Sequence, residues 1–193
     1  FGLNNPDIDK NTSPVLCLGP CEASVGEMAS AYTTFANGGI RCAPLFVTKI
    51  EDSHGNVIAK FQPLMTEVIS EVSSYQMIDM LRAVIQGGTG SRLRYAYHLT
   101  ADMGGKTGTT NNNADGWFMG ITPNLVSGCW VGGEDRDIHF DHTSMGQGAT
   151  MALPVWAYYM QRVYADKRLG YSQSTKFSMP AKFNPCQTAD TID

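Results

Sequence analysis

Two apolar runs, Trp117-Phe118-Met119-Gly120-Ile121-Thr122 and Leu125-Val126-Ser127-Gly128-Cys129-Trp130-Val131, stand on either side of Pro123-Asn124. Short runs rich in aromatic and branched residues, split by two turn formers, satisfy their backbone groups most simply as an antiparallel hairpin. Just upstream, Gly104-Gly105-Lys106-Thr107-Gly108-Thr109-Thr110 packs one cation, three hydroxyls and three glycines into seven residues. That segment is too polar for a central strand, but it fits alongside the hairpin as an edge, which makes a three-stranded meander. Side chains alternate along a strand, so Thr107 and Thr109 share one side and Lys106 takes the other. Two hydroxyls on one side can meet one carboxylate, and Gly108 between them lets a ligand backbone lie close.

A phosphate-binding loop is the rival reading of the same glycines and lysine. The pattern G-x-x-x-x-G-K-[ST] needs a glycine at position 100, where the chain has Thr100. It also needs a helix opening directly after the loop, so that helix N–H groups face the phosphates. Instead Asn111-Asn112-Asn113-Ala114-Asp115-Gly116 follows, a run of turn formers. The nucleotide reading is set aside on both counts.

With its flanks included, the lysine segment resembles the K-T-G-T box of the penicillin-binding transpeptidases. Glu27-Met28-Ala29-Ser30-Ala31-Tyr32-Thr33-Thr34-Phe35-Ala36-Asn37-Gly38-Gly39 is similar to a stretch of the bifunctional, class A members of that family. Gly88-Thr89-Gly90 before the box is similar too, as is Thr109 to Gly120 after it. These motifs recur in the family's order over roughly the first four fifths of the chain.

The resemblance also marks what this sequence lacks. The family's nucleophile sits in S-x-x-K and its second polar motif is S-x-N, and none of the thirteen serines here begins either pattern. The nearest approach is Ser91-Arg92-Leu93-Arg94, and an arginine cannot serve as a base. No G-x-S-x-G elbow occurs either. The expectation is that these 193 residues begin partway through a domain and carry half of an active site, so that the chain alone is inactive.

What the resemblance implies is specific. The fold is α+β, a mostly antiparallel sheet flanked by helices with the cleft at the edge strand, present here as a partial domain. Residues 1–166 are the C-terminal portion of the transpeptidase domain, and 167–193 a polar tail. The reaction is D,D-transpeptidation, in which a serine ester links peptidoglycan stem peptides after loss of D-alanine. Lys106 and Thr109 are the catalytic positions: Lys106 supplies positive potential, and the Thr109 amide donates to an oxyanion. Thr107, Gly108, Thr109 and Thr110 bind substrate, the Thr107 and Thr109 hydroxyls meeting its terminal carboxylate. Partners are stem peptides ending in D-Ala-D-Ala and β-lactams that mimic them, with no nucleic acid, metal or organic cofactor. The parent works outside the cytoplasm, on the periplasmic face of the inner membrane, with any membrane anchor and a glycosyltransferase domain in its N-terminal part. The alternative is a peptidoglycan or β-lactam sensor on the same fold that binds without chemistry.

The remaining sequence fits a globular domain. Hydrophobic residues make up 42% of the chain, and a net charge of −4 argues against a nucleic-acid surface. Ser24-x-x-Glu27 is a capping box opening a helix to Asn37, with Met28, Ala31, Tyr32 and Phe35 on one face. Strands are expected at 45–51 and 57–61 around a glycine turn, and an extended segment at 13–19. A helix over 71–86 turns Tyr75, Ile78, Leu81 and Ile85 inward and stops at Gly87-Gly88. A last helix is built on Trp156, Tyr159, Met160 and Val163, with Pro154 in its first turn. Asp115 reads as a turn residue and Trp117 as a packing aromatic. His139, Asp141 and His142 raise the question of a metal, but their turn-like setting favours a solvated acidic loop. Among five cysteines, Cys17 and Cys21 are spaced for a possible disulfide if the domain is extracytoplasmic. The end from residue 167 has no sustained period and reads as surface-hugging or partly disordered.

Overall fold

A computed structural model describes residues 1–3, 14, 19 and 21–184. The extended segment at 13–19, the Cys17–Cys21 pairing and the last nine residues rest on positions outside these.

The first helix, α1 (Val25–Ala36), opens on the expected capping box: the Glu27 amide donates to Ser24 Oγ at 3.2 Å, and the Ser24 amide donates back to the Glu27 carboxylate at 2.9 Å. Both satisfy N–H groups that a helix start leaves without partners. The chain leaves α1 through Gly39, buried at φ +94°, a conformation and a space that suit only glycine. Strands β1 (Ile40–Cys42) and β4 (Met65–Glu67) then form one small antiparallel pair, and β2 (Lys49–Glu51) and β3 (Val57–Lys60) another. The strand expected from residue 45 starts only at Lys49, and the β1–β4 pair is an addition to the sequence reading. Helix α2 (Glu71–Gln86) is capped by Ser70, whose Oγ accepts the Ser73 amide, and buries Tyr75, Ile78, Leu81 and Ile85 as its spacing predicts.

After a short helix α3 (Arg92–Tyr95), β5 (Gly104–Thr109), β6 (Asp115–Thr122) and β7 (Leu125–Gly132) form the expected antiparallel meander in that order, so β5 is an edge. One core lies on each face of this sheet. On one, Phe118 meets Trp156 edge to face at 5.0 Å, with Leu93, Leu153 and Met160 fully buried around them. On the other, Ile121 packs with Tyr75, Ile78, Leu81 and Phe177. Helix α2 joins the two cores by crossing the sheet edge at Gly104 and Gly105. Gly104 lies against Leu81, and Gly105 lies against Ile85 and the Phe118 ring, approaches that a side chain would block.

A one-turn helix, α4 (Thr143–Gly146), precedes α5 (Gly148–Ala165), which covers the Phe118 face. Two expectations about α5 are corrected. Pro154 lies in its interior, seventh in sequence from Gly148, and deprives Thr150 of its helical amide partner. Burial of Leu153 and Trp156 on either side holds the helix together there. Tyr159 faces outward, 47% exposed, whereas Trp156, Met160 and Val163 face the core. Beyond α5, Lys167–Leu169 make a turn of 3-10 helix and the chain returns across α2. Gln173 accepts the amides of Thr100 and Ala101, Phe177 enters the second core and Phe183 meets the Tyr75 ring edge to face.

Candidate active site at the open edge of β5

The β5–β6 turn fixes which backbone groups of β5 are free. The Thr110 amide donates to the Asp115 carbonyl at 3.2 Å, which makes residues 110 and 115 a hydrogen-bonded pair. Hydrogen-bonded and non-hydrogen-bonded pairs alternate along an antiparallel ladder. With Thr109 opposite Gly116 and Thr107 opposite Phe118, both threonines therefore turn their N–H and C=O groups away from β6, toward the open edge. Helix α2 blocks that edge at Gly104 and Gly105, so the exposed stretch is Thr107 to Thr109.

The turn is held by Thr110, whose hydroxyl accepts the amides of Ala114 and Asp115 at 3.1 and 2.9 Å. Asn113 adopts the left-handed conformation at φ 59°, tolerated by its short polar side chain, and its amide group donates to the Phe140 carbonyl. Thr109 holds a more distant element. Its hydroxyl accepts the Gly148 amide, the first of α5, at 3.0 Å. An N–H can only donate, so the Thr109 hydroxyl keeps its own proton for another acceptor. The Thr107 hydroxyl lies 2.8 Å from that of Thr89.

Lys106 lies on the opposite side from these two hydroxyls, as strand alternation requires, and is exposed. Its ammonium donates to the Thr107 carbonyl at 2.7 Å, drawing the cation to the open edge. There it borders a groove of about 820 Å³ between the start of α1 and the sheet. Val25, Met28 and Tyr32 of α1 form one wall, and Trp117 and Trp130, directly paired across β6 and β7, lie in the floor. Gly108 opens onto this groove without a side chain. Burial pushes the Tyr32 phenol above its usual range, so the wall is uncharged there at neutral pH. Asp115 accepts from Trp130 Nε1 at 2.8 Å and fixes the indole. Arg136 reaches Glu22 at 3.2 Å across the rim, an exposed pair.

All four residues expected to bind substrate, Thr107, Gly108, Thr109 and Thr110, line this groove together with Lys106. Tyr32, Asp115 and Trp117 line it as well, although the sequence reads them as core, turn and packing residues. Register was the available signal: Gly108 opposes Trp117 and Lys106 opposes Met119, so these side chains share a face. His139, Asp141 and His142 are exposed, and no group of three metal-ligating side chains occurs among the described residues.

The family profile of the penicillin binding protein transpeptidase domain matches residues 3–127. The chain belongs to the penicillin-binding-protein transpeptidase family. Among curated relatives, penicillin-binding protein 1A of Aquifex aeolicus is 38% identical over 148 residues, covering 77% of this chain and 20% of the relative. Penicillin-binding protein 1A of Neisseria lactamica is 36% identical over 171 residues, 83% of this chain and 20% of the relative. The chain thus spans about a fifth of the length of these penicillin-binding proteins. The solved structure of penicillin-binding protein 1A from Haemophilus influenzae superposes with a TM-score of 0.75 at 27% identity, over 89% of this chain and 30% of that one. PonA1 of Mycobacterium tuberculosis gives 0.72 at 25% identity, over 92% and 48%. The α+β penicillin-binding transpeptidase fold expected from the sequence is thereby shown, together with the likeness to the 1A proteins.

Proposed function

We propose that this chain is the carboxylate-gripping half of a serine-type D,D-transpeptidase that crosslinks peptidoglycan outside the cytoplasm. Residues 1–166 are the C-terminal portion of the catalytic domain and 167–193 its tail. The observation that carries the reading is the edge of β5 turned away from β6, where the outward-facing backbone groups of Thr107 and Thr109 lie beside the Lys106 ammonium, which donates to the Thr107 carbonyl at the mouth of an aromatic-floored groove.

Each group has a role that its chemistry allows. Lys106 sets positive potential for the terminal carboxylate of a stem peptide or a β-lactam. Thr107 and Thr109 donate their hydroxyl protons to that carboxylate, and Gly108 lets the peptide backbone lie along the strand. Thr110 supports the end of the grip by bracing the turn. The Thr109 amide faces the edge and serves as one oxyanion donor, the kind of fixed dipole that contributes most when charge develops in an acyl-transfer transition state. The serine that forms the ester and the lysine that takes its proton come from sequence outside this chain, so the chain alone does not react. No described helix is long and apolar enough to cross a membrane.

Intact mass after exposure to benzylpenicillin is the test. A covalent adduct is expected on the complete parent and not on this 193-residue chain. An adduct on neither moves the non-catalytic sensor reading to the front, and an adduct on the isolated chain overturns the missing-nucleophile account.

A further inference from the structure

The geometry points to Thr89 as a positioning residue for the Thr107 hydroxyl, one that fixes the direction in which Thr107 gives its proton. This rests on the reading that Thr107 meets a substrate carboxylate.

Thr89 sits in the Gly87-Gly88-Thr89-Gly90 turn that ends α2, a segment the sequence singles out and for which the carboxylate site has so far given no use. The turn folds back tightly: the Gly90 amide donates to the Val84 carbonyl at 3.0 Å and the Ser91 amide to the Gly88 carbonyl at 3.1 Å. A Cβ at Gly88 would lie 2.9 Å from Val84 Cα, and one at Gly90 would lie 2.7 Å from Ile85 Cδ1. Gly88 is therefore needed for the turn to hug the helix, and Gly90 leaves room for the Ile85 side chain. Because α2 itself crosses the sheet edge at Gly104 and Gly105, the turn at its end delivers Thr89 beside the part of β5 that stays open. Its Oγ1 lies 2.8 Å from that of Thr107.

Proton counting gives the contact its direction. A hydroxyl has one proton to give, and a carboxylate only accepts. At Thr109 the arrangement is already set, since the Gly148 N–H supplies the bond and leaves the hydroxyl proton available. At Thr107 the partner is another hydroxyl, and either can donate. For Thr107 to donate to a carboxylate, Thr89 must donate to Thr107. The result is a two-step chain, Thr89 O–H to Thr107 O–H to carboxylate, in which the first bond polarises the second. Thr89 thus does for Thr107 what the helix N-terminus does for Thr109.

The test uses the complete parent and reads the second-order rate of acylation by benzylpenicillin. Thr89→Val keeps the shape and removes the proton, and is expected to slow acylation about three- to tenfold, the worth of one hydrogen bond to a partly exposed group. Thr89→Ser restores the rate. In a Thr107→Val background, Thr89→Val is expected to cost nothing further, because the group it positions is gone. An equal loss in that background assigns Thr89 to general support of the turn and overturns the inference. A loss with Thr107→Val but none with Thr89→Val overturns the Thr89 role alone. Lys106→Ala monitors the underlying reading, with an expected loss of about a hundredfold. If Lys106→Ala and Thr107→Val both leave acylation unchanged, the carboxylate site itself is wrong, and the Thr89 role falls with it.

Discussion

Asp102 ties together three segments far apart in sequence. Its carboxylate takes a two-pronged bond from the Arg82 guanidinium, at 2.8 and 2.6 Å, and the Phe177 amide at 3.0 Å, while Arg82 also donates to the Tyr75 hydroxyl. The guanidinium lies 5.2 Å from the centre of the Phe177 ring. Partial burial pushes the Asp102 carboxyl upward, but the Arg82 and Phe177 bonds outweigh it and hold the group below its ordinary value. A depressed carboxylate stabilises the fold at pH values above its unfolded pKa of about 4, and that contribution is lost as pH falls through the lower folded value. Asp102→Asn is therefore expected to destabilise the complete domain by about 2–3 kcal/mol at pH 7, between the values for exposed and fully buried pairs. In denaturant unfolding, the gap to the unsubstituted protein should close as the pH drops below about 4. None of this is visible in sequence, because Arg82, Asp102 and Phe177 carry no local pattern that links them. Lys106, Thr107 and Thr109 were legible for the opposite reason: a strand too polar for a core announces itself within seven residues.

Among the elements, legibility followed the locality of the stop and start signals. Helices α1 and α2 carry their caps within three residues, Ser24 with Glu27 and Ser70 with Ser73, and each ends on a glycine pair. The start of helix α5 is hidden in the sequence because its cap is remote. Gln147 makes no side-chain capping bond, and the first amide of the helix is satisfied by Thr109, thirty-nine residues earlier in the chain. Without a local start signal, Pro154 reads as the first turn although it lies inside the helix. Packing of α5 on the sheet depends on Gly120, which lies directly under the Trp156 indole, while Trp156 Nε1 donates to Ser127 Oγ at 2.8 Å on the next strand. A methyl group at Gly120 has no room unless the indole shifts and gives up that bond. Gly120→Ala is expected to destabilise the complete domain by about 1–3 kcal/mol, read as a lowered Tm with a change in tryptophan fluorescence. A neutral result would show that the helix can slide on the sheet.

At the scale of the molecule, the two cores flank the β5–β7 meander, and the strands β1 to β4 lie outside both. Phe46 is 93% exposed, and Ile58 and Leu64 expose about two thirds of their surface. Segments with little buried apolar contact open at low free energy. Hydrogen exchange on the complete parent should accordingly label residues 40–67 well before 115–132, and the reverse order would show that the small strand pairs gain a packed partner in the whole protein. Sequence periodicity gives little warning of this division, since a strand expected at 57–61 does not reveal that Val57 and Ile58 lie outside both cores and stay exposed. The edge strand belongs to the firm part. It is wedged at Gly104 and Gly105 against α2 and fastened at Thr109 to the head of α5, which makes it a beam clamped at both ends. On the proposed reading, a carboxylate arriving between the clamps would meet a span already held straight and surrender little conformational freedom on binding, so loosening either clamp should be felt at the mouth of the groove.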